Sequence, residues 1–369
     1  MMLAELLENT YRNRSVLVTG HTGFKGSWLT MWLYMLGAEV FGVALDPPST
    51  PSMHNVLRLD EIIPDRHVDI IEYTALKDAF AAFSPEIVLH LAAQSLVRPS
   101  YEQPLATLST NVLGTATVLE VCRHTPSVRA VVIVTSDKCY RNNEWVWGYR
   151  ENDPMGGYDP YSASKGCAEL VTAAYIKSFF NANDYGRTHH VAVASARAGN
   201  AIGGGDWGRD RLIPDCVRAL CAGKCIHIRY PDAVRPWQHV LECLSGYLLL
   251  GARLFEAGPK FGCGWNFAPM DMGDIWPVKK IVEYICSLWG NGQYTTENTG
   301  VPHEAHMLCL DCTKARIELG WRPHYRVSRA LETTVAWYKA WTQNPSPTHM
   351  REITQEQIRA YMQTIRTEN

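Results

Sequence analysis

Tyr161 and Lys165 stand four residues apart in Tyr161-Ser-Ala-Ser-Lys165. That spacing at the start of a helical pattern puts a phenol and an ammonium on one helix face. A phenol is a poor base near neutrality, because its unperturbed pKa is about 10. A neighbouring cation favours the phenolate. Such a tyrosine can take a hydroxyl proton from a carbon that is being oxidised, provided an electron acceptor lies beside it.

The sequence offers a place for that acceptor. Thr19-Gly20-His21-Thr22-Gly23-Phe24-Lys25-Gly26 follows a short β-branched run and opens a helical pattern. Three glycines at this spacing suit a dinucleotide: Gly20 for the tight turn, Gly23 for backbone approach to a pyrophosphate, and Gly26 for close helix–sheet packing. An acidic residue is expected about 20 residues on, where it binds a ribose 2′-hydroxyl. Asp46, ending Val43-Ala-Leu-Asp46, occupies that place. Its charge repels a 2′-phosphate, so the expected cofactor is NAD. Lys25 and Arg58 are the cations that would instead recruit a phosphate.

Elements must hold these residues. Ser15–Thr19 and residues 40–45, 68–71, 87–92, 131–135 and 191–196 read as short apolar strands, with helical patterns at 27–36, 75–82, 104–122 and 160–179. Near-continuous apolar strands alternating with helices predict an α/β fold, a Rossmann-type doubly wound parallel sheet. Beyond residue 200 the alternation loosens into a smaller mixed α/β substrate-binding lobe, with Gly264–Phe267 read as a strand returning to the main sheet. The expected division is a cofactor domain over 1–200, a second lobe over 201–345 and a polar tail over 346–369, helical near 355–364.

Composition narrows the class. In 369 residues, 35 Lys+Arg against 37 Asp+Glu give a net charge of −2. No basic run exists, which argues against holding nucleic acid by bulk charge. The N-terminal stretch carries Glu5 and Glu8 where a signal peptide would be basic, and no run approaches the roughly 18 apolar residues of a membrane helix. No membrane partner and a cytoplasmic setting are therefore expected. The 11 cysteines are irregularly spaced. Cys309/Cys312 lacks the matching pair that a zinc site needs, so reduced thiols are expected. The His303-Glu-Ala-His306 string lacks the i, i+4 histidine spacing of a metalloprotease helix. No metal is assigned.

Taken together, Thr19–Gly26, Leu91-Ala92-Ala93-Gln94, Asn111, Ser136, Tyr161, Lys165 and Arg197-Ala-Gly-Asn200 resemble the extended short-chain dehydrogenase/reductase family over residues 14–325. The resemblance implies that Ser136 hydrogen-bonds the reacting oxygen. It implies NAD contacts from Gly20, Thr22, Gly23, Phe24, Lys25, Gly26, Asp46, Asp69, Leu91, Ala92, Ala93, Tyr161 and Lys165. Asp137 follows Ser136, as in the sugar-nucleotide 4,6-dehydratases, where this aspartate protonates a departing 6-hydroxyl. Those enzymes place glutamate next, to remove the C5 proton, whereas this chain has Lys138. A lysine acts as base only when neutral, so Lys138 is expected either to take the C5 proton or to stay charged and stabilise the enolate.

The strings Glu144-Trp-Val-Trp-Gly-Tyr-Arg-Glu-Asn152, Gly203-Gly-Gly-Asp-Trp207 and Arg235-Pro-Trp-Gln-His-Val240 make the likeness closest to the dehydratases of CDP-D-glucose. CDP-D-glucose is thus the implied substrate, by resemblance alone. The alternative is a dehydratase or 4-epimerase of another NDP-sugar. Gln94, Asn200, Arg211 and Arg235 are the expected substrate contacts, the arginines because a diphosphate needs converging cations. The resemblance further implies a homodimer or homotetramer built through residues 104–122 and 160–179. It also implies supply of 3,6-dideoxyhexose precursors for a lipopolysaccharide O-antigen.

Overall fold

Ile87–His90, Ala130–Val134 and Ala192–Ala198 are buried along their whole length, and Ser15–Thr19 almost so. Strands apolar on both faces need cover on both faces, which a parallel sheet between two helix layers supplies. The computed structural model describes residues 3–269, 276–296 and 308–367. In chain order it runs α1 (Leu3–Tyr11), β1 (Ser15–Thr19), α2 (Phe24–Met35), β2 (Glu39–Ala44), α3 (Met53–Leu57), β3 (Asp65–His67), α4 (Tyr73–Phe83) and β4 (Ile87–His90). Next come α5 (Val97–Glu102), α6 (Pro104–Leu108), a π turn (Ser109–Leu113), α7 (Gly114–Arg123), β5 (Ala130–Val134), α8 (Pro160–Ser178), β6 (Ala192–Ala198) and β7 (Ala201–Ile202). The second half holds α9 (Leu212–Cys221), β8 (Ile226–Ile228), β9 (Gln238–His239), α10 (Val240–Ala257), β10 (Gly264–Phe267), α11 (Val278–Trp289), β11 (Tyr294–Thr296), α12 (Val327–Gln343) and α13 (Pro347–Thr367).

The seven-stranded sheet has the order β10-β6-β5-β4-β1-β2-β3, and every pairing in it is parallel. Gly264–Phe267 does return to this sheet, beside β6. Side chains alternate between two cores. Leu17, Val88, Val131 and Val193 face the layer of α4, α7 and α8. Val16, Val18, Leu89 and Val132 face α1, α2, α10 and α13. Strand order reverses between β1 and β4, and ligands of such sheets bind outside the strands' C-terminal ends at this point.

Three expectations need correction. The third strand lies at Asp65–His67, not 68–71; the 68–71 stretch is a loop in which Asp69 accepts from the Ile71 N–H. The sheet edge there is half solvated, so apolar content does not mark it. The tail is a 21-residue helix, α13, that buries Met350, Ile358, Tyr361 and Ile365 against the cofactor half of the molecule. The stretch Pro104–Arg123 is, by length and hydropathy alone, apolar enough to cross a membrane. Here α7 uses Val118, Leu119, Val121 and Cys122 to cover the sheet. All eleven cysteines are free thiols. The His303–His306 string lies outside the described residues.

Two buried histidines set an acid limit on this fold. His90 sits under the glycine turn, its Nδ1 2.7 Å from the Thr19 hydroxyl. His239 caps α10, accepting from the Leu241 N–H. Burial first, and then the nearby charge of Lys165 or Arg329 respectively, pushes each imidazole down to about 3. An unfolded histidine takes its proton near 6.5. The stability held by the neutral rings is therefore full above pH 6.5 and is lost as pH falls toward 3, at up to roughly 1.4 kcal/mol per pH unit for each. Urea midpoints measured from pH 7 to 4 are expected to fall steeply, and the slope should be shallower in His239→Asn. An unchanged slope in that variant would refute the assignment.

Candidate active site

The sequence-flagged residues near the reversal point sit at strand ends or in the first turns of helices α2 and α8. Gly20 follows β1 with φ +76, and a Cβ there would meet the Ala92 nitrogen at 2.7 Å. A Cβ on Gly26 would meet the Gly20 carbonyl at 2.0 Å. So β1, α2 and the end of β4 touch backbone to backbone. The Thr19 hydroxyl locks this contact by accepting from the N–H groups of Leu91 and Ala92, each at 3.2 Å. The start of α2 has Gly23 as its cap, with no side chain bonded to its N–H groups and no acid in its first turn. A Cβ on Gly23 would reach only the Gly20 carbonyl, at 3.4 Å. A helix N-terminus bare of side chains, with Lys25 beside it, is a cradle that fits a pyrophosphate.

Thr22, Phe24 and Asp46 make their contacts nearby. Thr22 donates to the Leu45 carbonyl at 2.9 Å, and the Phe24 ring packs on Gly203. Asp46 lies at the rim, its side chain 87% exposed and its Oδ1 2.6 Å from His67 Nδ1. Arg58 is turned to Asp60 and Glu61, so it does not serve as a 2′-phosphate cation here.

The residues expected to react gather just beyond β5 and in the first turns of α8. Ser136 caps the short turn Asp137–Cys139, accepting from the Lys138 N–H and donating to Asp137 Oδ1 at 2.8 Å. Ser136 stands near enough to the Tyr161 hydroxyl to favour its phenolate. Asp159 caps α8 by accepting from the Ser162 N–H, which fixes where Tyr161 points. Lys165 Nζ lies 3.4 Å from the Val134 carbonyl. Burial, then the ammonium of Lys25, brings Lys165 down to about 8.

The Tyr161 phenol departs from the expectation of a lowered value. Burial pushes it up to about 12, with Asp137 adding to the rise and Ser136 and Arg211 opposing it. The cation set against the phenolate's desolvation is thus Arg211, which the sequence placed only at the diphosphate.

Arg211 bonds Asp206 at 2.9 Å and Ser95 at 3.4 Å, bridging the two walls of the cleft. Gly199 packs against Asp137 and Pro236, so a Cβ there would stand 3.2 Å from Asp137 Oδ2. The Asn200 carbonyl accepts from the Gln238 N–H. These contacts bring Asn200 and the Arg235-Pro236 segment to the carboxyl group. Gln94 is held by Asn111, which accepts from the Gln94 N–H and donates to its carbonyl and to Ser164. Asn111 stands in the π turn Ser109–Leu113, a distortion that often marks functional sites.

Sequence reading missed the support under α8. Glu169, one further turn beyond Lys165 on the same face, accepts from Thr135, Ser195 and Arg197. Tyr161, Lys165 and Glu169 share an i, i+4, i+8 register, which is the signal that was present.

Comparison with known proteins agrees with this geometry. The model of the family described as GDP-mannose 4,6 dehydratase matches residues 17–253. A CDP-glucose 4,6-dehydratase of Salmonella typhimurium strain LT2 is 52% identical over 335 residues, 90% of this chain and 93% of the relative. A dTDP-glucose 4,6-dehydratase of Haemophilus influenzae is 26% identical over 344 residues, 88% of this chain and 97% of the relative. Among solved structures, an epimerase of Methanothermobacter thermautotrophicus superposes with a TM-score of 0.77 at 22% identity, covering 93% of this chain and 97% of that one. DesIV, a dTDP-glucose 4,6-dehydratase of Streptomyces venezuelae with NAD and TYD bound, superposes with a TM-score of 0.72 at 23% identity, covering 89% and 97%. With that family's model running from β1 into α10, the chain belongs to the GDP-mannose 4,6-dehydratase family.

Proposed function

We propose that this chain converts CDP-D-glucose to CDP-4-keto-6-deoxy-D-glucose with a resident NAD. The observation that carries the reading is Asp137, buried and tied to Ser136 beside the Tyr161 phenol. An epimerase at C4 has no use for a second acid there, whereas loss of a 6-hydroxyl requires one. The nucleotide assignment rests on the 52% identity to the Salmonella relative.

The bare α2 N-terminus, Lys25 and Lys165 would hold the dinucleotide, with Asp46 at its ribose. When bound, NAD supplies the acceptor for the C4 hydride and returns that hydride to C6. Tyr161 takes the 4-hydroxyl proton, and Ser136 holds the same oxygen in line. The ketone so formed acidifies the C5 proton. Lys138, half-buried beside Asp137, is assigned to that step, as base or as the charge that stabilises the enolate. Asp137 gives its proton to the 6-hydroxyl, which leaves as water instead of hydroxide. Arg211 and Arg235 are assigned to the diphosphate, and Gln94 and Asn200 to the sugar.

Leu105 and Leu113 on the α6–α7 stretch and Leu170 on α8 are exposed on neighbouring helices. That apolar face supports a homodimer, the arrangement expected of residues 104–122 and 160–179. The further setting is a cytoplasmic one, supplying 3,6-dideoxyhexose precursors for an O-antigen. The test is incubation with CDP-, dTDP-, UDP- and GDP-glucose, followed by mass spectrometry. The mass of the CDP-sugar is expected to fall by one water. No water loss from CDP-glucose would refute the assignment, and an unchanged mass with inverted C4 would indicate an epimerase.

A further inference from the structure

Away from the sugar site, three imidazoles converge on one carboxylate oxygen at the β2–β3 edge. His21 lies inside the glycine turn, His54 on α3, and His67 ends β3, the strand that Asp65 begins. The Nε2 atoms of His21, His54 and His67 lie 2.8, 3.8 and 3.9 Å from Asp65 Oδ2. The His21 and His54 side chains are 0% and 7% exposed.

Their protons are already committed. His54 Nδ1 faces Asn55 Oδ1 at 3.2 Å, which makes Nδ1 the protonated nitrogen. His54 Nε2 is thereby a bare lone pair, and it is buried without a hydrogen-bond partner. His21 Nε2 donates to Asp65 Oδ2 at 2.8 Å, and His67 Nδ1 stands 2.6 Å from Asp46 Oδ1. The His54 Nε2 lone pair therefore faces an oxygen that accepts and cannot donate. A buried acceptor with no donor costs roughly 1–3 kcal/mol, and a cation that displaces the His21 Nε2 proton would be ligated by His21, His54 and Asp65 together. His21, His54 and Asp65 each present a ligand atom within 4.8 Å of the others. Tetrahedral zinc with bonds near 2.0 Å sets its ligand atoms about 3.3 Å apart, within a small side-chain adjustment of the spacings seen.

We infer that His21, His54 and Asp65 form a binding site for a borderline divalent cation of the zinc type, with His67 at its rim. Imidazole and carboxylate ligands suit such an ion. His67, 2.6 Å from Asp46 Oδ1, links that rim to the carboxylate placed at the dinucleotide ribose. The site joins the glycine turn to the rim carboxylate Asp46, so its occupancy would bear on dinucleotide binding and not on the sugar.

The test uses chelator-stripped full-length protein titrated with Zn²⁺ alone by calorimetry, and with Co²⁺ by absorption. The expected result is one equivalent of Zn²⁺ per chain, with Co²⁺ giving ligand-field bands and no thiolate charge transfer. Binding should weaken at least ~10-fold in His54→Gln and in Asp65→Asn, with melting curves of the metal-free variants showing that each is folded. No stoichiometric binding by the wild type would overturn the inference. So would binding that survives both substitutions, or a thiolate charge-transfer band, which would place the ion on cysteines.

Discussion

Asp137→Asn is expected to lower the rate of water loss by roughly 10²–10⁴, about 3–5 kcal/mol in the barrier. Asparagine keeps the size and polarity of the residue, and its amide can still meet the Ser136 hydroxyl. It has no proton to release, so the 6-hydroxyl would leave as hydroxide. The substitution spares Tyr161, Ser136 and Lys165, so removal of hydrogen from C4 should continue. The C5 proton then remains acidic, and solvent deuterium should still enter C5 of the bound sugar. Tyr161→Phe is the contrasting variant, losing both deuterium entry and water loss, because nothing takes the 4-hydroxyl proton. Water loss by Asp137→Asn within threefold of wild type would remove Asp137 from the reaction and leave the C6 acid elsewhere.

The parts of this site that were legible in the sequence are those whose geometry is local. The turn Gly20–Gly26 and the pair Tyr161/Lys165 are set by spacing within one turn or one helix, and helical or strand periodicity places them. β1, β4, β5 and β6 were legible because buried parallel strands are apolar throughout. β3 was not, since an edge strand such as Asp65–His67 is half in water and carries charge. α13 escaped for another reason. Its average polarity is that of a tail, but Met350, Thr354, Ile358, Tyr361 and Ile365 form one buried stripe. What fixes that stripe is Glu242, a buried carboxylate on α10 that accepts from the Tyr361 hydroxyl and from the His324 and Tyr325 N–H groups. Partners more than eighty residues apart in sequence leave no local pattern. The same holds for His21, His54 and Asp65, whose types suit a metal but whose spacing matches no local motif.

Glu169→Ala is expected to destabilise the fold by about 3–5 kcal/mol, the cost of stranding a buried charge. The carboxylate lies 2.6 Å from Arg197 Nη2, with side chains only 4% and 6% exposed. It also accepts from Thr135 at the end of β5 and Ser195 on β6. Arg197 continues the network to the Tyr140 hydroxyl, which donates to Asn266 on β10. One carboxylate therefore ties α8 to two strands, and through Arg197 to a third. Its loss leaves Arg197 with Tyr140 and the Glu151 carbonyl alone, while its Nε is already unpartnered. Glu169→Gln should cost less, since an amide oxygen still accepts from Thr135 or Arg197. Replacing both residues with methionine should recover much of the loss, because two apolar chains leave no charge behind. Denaturant midpoints on the three variants separate these terms. A loss below 1 kcal/mol in Glu169→Ala would mean that Arg197 finds water, and that the network does not hold the helix carrying Tyr161 and Lys165 against the strand that leads into Ser136.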